Sequence, residues 1–260
     1  MSIRQQANLV EAYGTIAAGT HHGTVARVFA ANRAYLLGWH DGPAEGDLYR
    51  SGVPHPPLNG VVRVQGQPLS QAYAAARERL AGLPRVWWVG PDSDPGTADG
   101  LLELGALPLF DRMPVMVAKT STVADADGPD ESINIEEATD VAEFVSAYAR
   151  VSGIPEAGVP TAVEREKSFD VLRLVGRLAD GRVAGTAEAF YCDGLVLLYF
   201  IGTQPEHRRR GIGTAMTRAV LRQAAARGVE TAALTSSAMG EPVYRRLGFR
   251  EIADYRVFAF

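Results

Sequence analysis

Glu206-His207-Arg208-Arg209-Arg210-Gly211-Ile212-Gly213-Thr214 sets three guanidinium groups and two glycines between an apolar run, Leu195 to Ile201, and a helical pattern, Ala215 to Arg227. A strand, a turn of this composition and a helix start make a phosphate cradle, because the turn amides and the positive end of the helix dipole face one point. Gly211 and Gly213 permit tight curvature and leave no side chain between amide and anion. The chemistry implied is the grip of a pyrophosphate. The Lys-Ser/Thr pair of a P-loop is absent, and Met216 stands where the third glycine of G-x-G-x-x-G would fall. What remains is R-x-x-G-x-G, carried by Arg208, Gly211 and Gly213, with a charged surface turn as the plain alternative.

One helix and one strand further on, Thr231 to Phe249 reads as strand, loop, short helix and turn, and its helix ends in Y-x-x-x-G-F: Tyr244, Gly248, Phe249. The two motifs in this order resemble the GCN5-related N-acetyltransferases. The resemblance implies acetyl-CoA as cofactor, whose three phosphates suit an arginine-rich loop. It implies that Arg208, Arg209, Arg210, Gly211, Ile212, Gly213 and Thr214 hold the pyrophosphate. It further implies that the backbone of Ile201, Gly202 and Thr203 holds the pantetheine arm and aims an N–H at the thioester oxygen. Tyr244 is then the general acid, since a phenol stays protonated at neutral pH and can donate to a departing thiolate. Ser237 stands where many relatives carry Asn, and Gly240 where they carry Ala, so the pantetheine contacts, Ser237 among them, depart from the family pattern.

An amine acceptor also needs a base. Glu188 lies in the strand pattern Val183 to Tyr191, on the face shared by Thr186 and Phe190. A carboxylate there either serves the chemistry or faces solvent, and a C-terminal carboxylate at Phe260 stays open as a second candidate. Glu206 reads as a solvated charge. Glu156, Glu164 and Glu166 in the loop from Gly153 would attract a cationic amine, or form an exposed acidic helix. The five histidines (His21, His22, His40, His55, His207) show no metal-ligand spacing, and His21-His22 beside Gly23 reads as a polar loop. Trp39, Trp87 and Trp88 read as core.

The chain has 260 residues, 47% of them hydrophobic, and a net charge of −4. That balance argues against nucleic-acid binding, so the arginine triplet is a local phosphate site. Cys192 is the single cysteine, which excludes an internal disulfide and suits the reducing cytoplasm. Met1-Ser-Ile-Arg-Gln-Gln shows no signal peptide, and no run is long enough to span a membrane.

Thr120 to Ser132, small, polar and acidic, reads as a linker. It separates residues 1–119 from residues 133–260, which carry the family's elements in order. Asp140 with Glu143 suggests a capping box ahead of Val141, Phe144, Val145 and Tyr148, and Gly153 ends that helix. In the first half, Leu101 and Gly105 precede Tyr244 and Gly248 by the same interval, since 244 − 101 and 248 − 105 are both 143. Arg85 to Gly90 matches Thr231 to Ser236, and Phe110 to Ala118 matches the closing strand Tyr255 to Phe260. The expected fold is α/β: a mixed, mostly antiparallel splayed sheet with helices on both faces, in two tandem copies, the first degenerate. The expected function is acetyl transfer to a primary amine of a small molecule or peptide in a ternary complex, by a monomer or homodimer. A non-catalytic acyl-CoA sensor is the alternative.

Overall fold

The computed structural model describes residues 21–42, 46–121 and 133–260. Residues 1–20 of the first unit and 122–132 of the expected linker lie outside them. The strands are β1 (Leu48–Arg50), β2 (Asn59–Val61), β3 (Val86–Val89), β4 (Leu107–Lys119), β5 (Asn134–Glu137), β6 (Leu172–Arg177), β7 (Val183–Cys192), β8 (Leu195–Thr203), β9 (Thr231–Thr235) and β10 (Arg250–Ala259). The helices are α1 (His21–Gly38), α2 (Leu69–Arg79), α3 (Thr97–Glu103), α4 (Val141–Ser152), α5 (Val159–Lys167), α6 (Ile212–Ala226) and α7 (Glu241–Arg246).

Helix α4 follows its apolar spacing. Asp140 caps it by accepting from the amides of Ala142 and Glu143, Phe144, Val145 and Tyr148 are buried, and Gly153 ends it at φ 77°. The Glu143 carboxylate turns to Arg177 at 2.6 Å and 2.8 Å, so the reciprocal half of the expected box is replaced by an ion pair. Helix α6 lies close on the opposite face. Gly176 and Gly185 pair across β6 and β7, and a Cβ on either would stand within 3.0 Å of Met216 or Ile212. His21 and His22 open α1, which corrects their reading as a loop. Val28, Phe29, Ala31, Ala34, Tyr35, Leu36 and Leu37 are all buried, so α1 is enclosed on nearly every side.

Among the described residues all ten strands join one sheet, in the order β1-β2-β3-β10-β4-β9-β8-β7-β6-β5. The β2–β3 and β8–β9 pairs are parallel and the others antiparallel. At the centre, β10 lies between β3 and β4, and β4 lies between β10 and β9. The last strand of each half therefore docks against the other half's parallel pair. Helices α3 and α7 end on the same bonds. Leu104 N–H donates to Gly100 O at 3.0 Å and Leu247 N–H to Val243 O at 3.2 Å; Ala106 N–H donates to Leu101 O at 2.9 Å and Phe249 N–H to Tyr244 O at 3.0 Å. Gly105 and Gly248 sit at φ 86° and 84°. Thr120 is buried beside β9, its hydroxyl donating to Val229 O at 2.7 Å.

Candidate active site

The sheet opens beside β8. Pairing of β8 with β9 covers Leu195 to Leu197 and Thr231 to Ala233, while β7 stays paired to β8 as far as Thr203. A register shift between Thr186 and Glu188 marks a bulge in β8, with Phe200 at φ 45°. An aromatic residue rarely adopts that conformation and needs outside support. It is held from several sides: the Thr186 hydroxyl donates to Phe200 O at 2.8 Å, Tyr148 stacks on the Phe200 ring at 3.9 Å, and Trp39 meets it edge-on at 5.9 Å. Ile201, Gly202 and Thr203 thus line the opened edge of β8.

The arginine loop follows directly. Arg209 and Gly211 are left-handed, at φ 61° and 83°, which turns successive amides toward one side. Gly211 is the N-cap of α6, and neither a capping side chain nor an acidic residue stands in the first turn. The opening amides of a helix have no internal acceptor, so Ile212, Gly213 and Thr214 present free N–H groups. Arg208, Arg209 and Arg210 are exposed. The residues present fit a diphosphate. Gln204 anchors the loop from beneath, donating to Ala147 O at 2.8 Å.

The strand beyond the gap, β9, leads to α7. Tyr244 packs edge-on to Phe249 at 5.7 Å, and Gly240 leaves room for its ring. Burial pushes the phenol up to about 12, so it holds its proton through the neutral range. Ser237 Oγ accepts the Gly240 amide at 3.2 Å, at the head of the same helix.

Glu188 is fully buried, as are Thr186 and Phe190, so it does not lie on an exposed face. Tyr35 of α1 donates to Glu188 Oε1 at 2.7 Å. Burial first, and the nearby Glu166 carboxylate second, raise its proton affinity well above the ordinary carboxylate range. Glu166 is itself fully buried, unlike the exposed Glu156 and Glu164. Its Oε2 accepts from Arg173 at 3.0 Å, and burial raises its pKa while Arg173 opposes the rise. Sequence reading missed Tyr35, Tyr148, Arg173 and Tyr199 here. One signal was present: Arg173 lies directly across from Glu188 in the β6–β7 register, a charge between Leu172 and Leu174. Phe260 packs on Trp87 at 5.3 Å and on Tyr73, within the core of the other half, not beside Glu188. Glu206 is exposed, 3.6 Å from Arg150. Among the described residues no helix is long and apolar enough to cross a membrane.

Residues 143–249, which contain Glu188, the arginine loop and Tyr244, match the model of the Acetyltransferase (GNAT) family. The chain is 29% identical over 253 residues to the mycothiol acetyltransferase of Clavibacter michiganensis subsp. michiganensis, covering 84% of this chain and 80% of that protein. A solved GCN5-related N-acetyltransferase from Kribbella flavida shares the fold at TM-score 0.65 and 21% identity, over 90% of this chain and 94% of that one. A tandem GNAT protein from the clavulanic acid biosynthesis pathway does so at TM-score 0.55 and 16% identity, over 74% and 69%.

Proposed function

We propose, from the premise that the chain is an acyltransferase of the GNAT type that uses acetyl-CoA, that it acetylates a primary amine of a small molecule or peptide by direct transfer in a ternary complex. Residues 133–260 form the catalytic unit, residues 120–132 the linker and residues 1–119 a degenerate second copy. The protein works in the cytoplasm as a monomer or homodimer.

The observation that carries this reading is the parting of β8 from β9. Both motifs leave the sheet at the mouth of that gap, the arginine loop after β8 and Tyr244 after β9. The amides of Gly211 to Thr214, with Arg208, Arg209 and Arg210, hold the diphosphate. The open edge of Ile201, Gly202 and Thr203 holds the pantetheine arm, and Ser237 flanks it. When bound, acetyl-CoA supplies an acyl carbon activated by its thioester. Glu188 accepts a proton from the acceptor's ammonium, which frees the nitrogen lone pair for attack. A β8 amide stabilises the developing oxyanion. Tyr244 donates its proton to the departing sulfur, and its phenolate recovers one as the second N–H bond of the acylated nitrogen breaks. The matched helix ends of α3 and α7 support the second-copy reading, and the stretch after β2 reaches α2 without R-x-x-G-x-G, since Arg63 and Gly66 are followed by Pro68 where the second glycine would fall.

The test follows free-thiol release from acetyl-CoA over a panel of amines. Turnover with at least one amine is expected. Glu188→Gln should lower kcat/KM by ~10²-fold while acetyl-CoA affinity stays within about twofold. Acetyl-CoA binding with no turnover on any amine would leave a sensor, and no binding at all would end the proposal.

A further inference from the structure

Five side chains from five elements face Glu188: Tyr35 from α1, Tyr148 from α4, Glu166 from α5, Arg173 from β6 and Tyr199 from β8. Two of the six groups are carboxyls and one is a guanidinium, so the cluster is one positive charge short of neutrality. Both carboxyls are fully buried. Each has one oxygen already engaged. Glu188 Oε1 accepts from Tyr35, and Glu166 Oε2 accepts from Arg173. Each also has one buried oxygen, Glu188 Oε2 and Glu166 Oε1, that receives no N–H or O–H from the protein. Arg173, which holds Glu166 at 3.0 Å, stands directly across from Glu188 in the β6–β7 register, so the two carboxyls are neighbours. Two ionised carboxylates would repel in a buried site, whereas one proton between the free oxygens satisfies both.

We propose that Glu166 is a positioning residue of the reaction: at rest it shares one proton with Glu188, and Glu188 accepts the acceptor's proton once that shared proton has left to solvent. The inference rests on Glu188 being the base. Arg173 fixes the negative charge on Glu166, so the shared proton sits on the Glu188 side. In the transfer step one N–H bond of the ammonium breaks, the proton passes to Glu188 Oε2, and the nitrogen keeps the electron pair for the thioester carbon. Ionised Glu166 therefore sets the pH at which Glu188 is free to act. Removing its charge lowers the proton affinity of Glu188 and leaves it ready at lower pH.

The experiment pairs infrared spectroscopy with kinetics on the full-length protein. The wild type should show the carbonyl stretch of a protonated, buried carboxylic acid at neutral pH. Glu188→Gln should abolish it. In Glu166→Gln it should titrate at lower pH, and the acidic limb of kcat/KM should move down by about one pH unit or more. A purely structural Glu166 would lower kcat without moving that limb, and this outcome overturns the proposal. So does a neutral wild type without the band, a measurement that stands even where Glu166→Gln fails to fold. Amine turnover without the band would sink the shared proton and leave the acetyltransferase reading intact. The band without turnover on any amine would uphold the shared proton and overturn the role given to it.

Discussion

At the start of the last turn of α3 stands Leu101, and at the same place in α7 stands Tyr244. The closing bonds, the left-handed glycine and the buried residue after it are alike in both. Leu101 is fully buried in the cluster with Trp87, Leu80 and Phe258, whereas Tyr244 is partly exposed beside the gap. Upstream the contrast is the same. The parallel pair β8–β9 opens into a glycine-headed helix, while α2 starts on Pro68 with no glycine pair before it. Backbone bonds and a left-handed glycine are enough to build the element. What it does depends on the side chain it carries and on the turn that heads the neighbouring helix.

Three experiments press on that contrast. The largest effect should come from separating the halves. Residues 133–260 alone would leave β10 without β3 or β4 and strip β4 from β9, exposing long unpaired edges. Such a fragment should show no cooperative unfolding by circular dichroism, and co-expression with the first half should restore the transition. A fragment that folds alone would mean the central strand pairing is incidental.

Next come the two equivalent side chains. Leu101→Ala should cost about 2–5 kcal/mol of stability by leaving a cavity, with turnover per folded molecule unchanged. Tyr244→Phe should do the reverse, lowering kcat by ~10²-fold with little change in Tm or acetyl-CoA affinity. Because burial raises the Tyr244 phenol to about 12, it is protonated below that value and loses its proton only above it. The wild-type rate should therefore show no fall from this group as pH rises through 9. A matching loss of kcat in Leu101→Ala would erase the division of labour.

The smallest effect concerns glycines. Gly105→Ala and Gly211→Ala each force a side chain into the left-handed region, at about 1–2 kcal/mol. Only Gly211→Ala should also weaken acetyl-CoA binding, which calorimetry would report. Equal affinities in the two variants would detach the loop from the cofactor.

Much of the second half was legible because its signals are local. The cap at Asp140, the stop at Gly153, the uniformly apolar β8 and the Arg-Gly turn each declare themselves within about ten residues. The pairing of β4 with β9 and β10 does not. Its partners lie far apart in the chain, and a closing strand of either half has the same pattern whichever sheet edge it joins. Helix α1 escaped for a different reason. It is covered on nearly all sides, so it carries no amphipathic period, and Tyr35 had no visible link to Glu188. Glu166 was hidden by neighbours: Glu164 and Arg165 have the look of a solvated face, and only packing turns Glu166 inward.

The crossing of closing strands has a consequence during synthesis. Strand β10 is complete about 140 residues after β4, a delay of roughly seven to thirty seconds at ordinary translation speeds. Through that interval the nascent first half carries the apolar edges of β3 and β4 with nothing between them. The order in which the ribosome delivers the strands therefore leaves a window for chaperones, and slowing translation through residues 120–250 should raise the aggregated fraction without altering the stability of protein already folded.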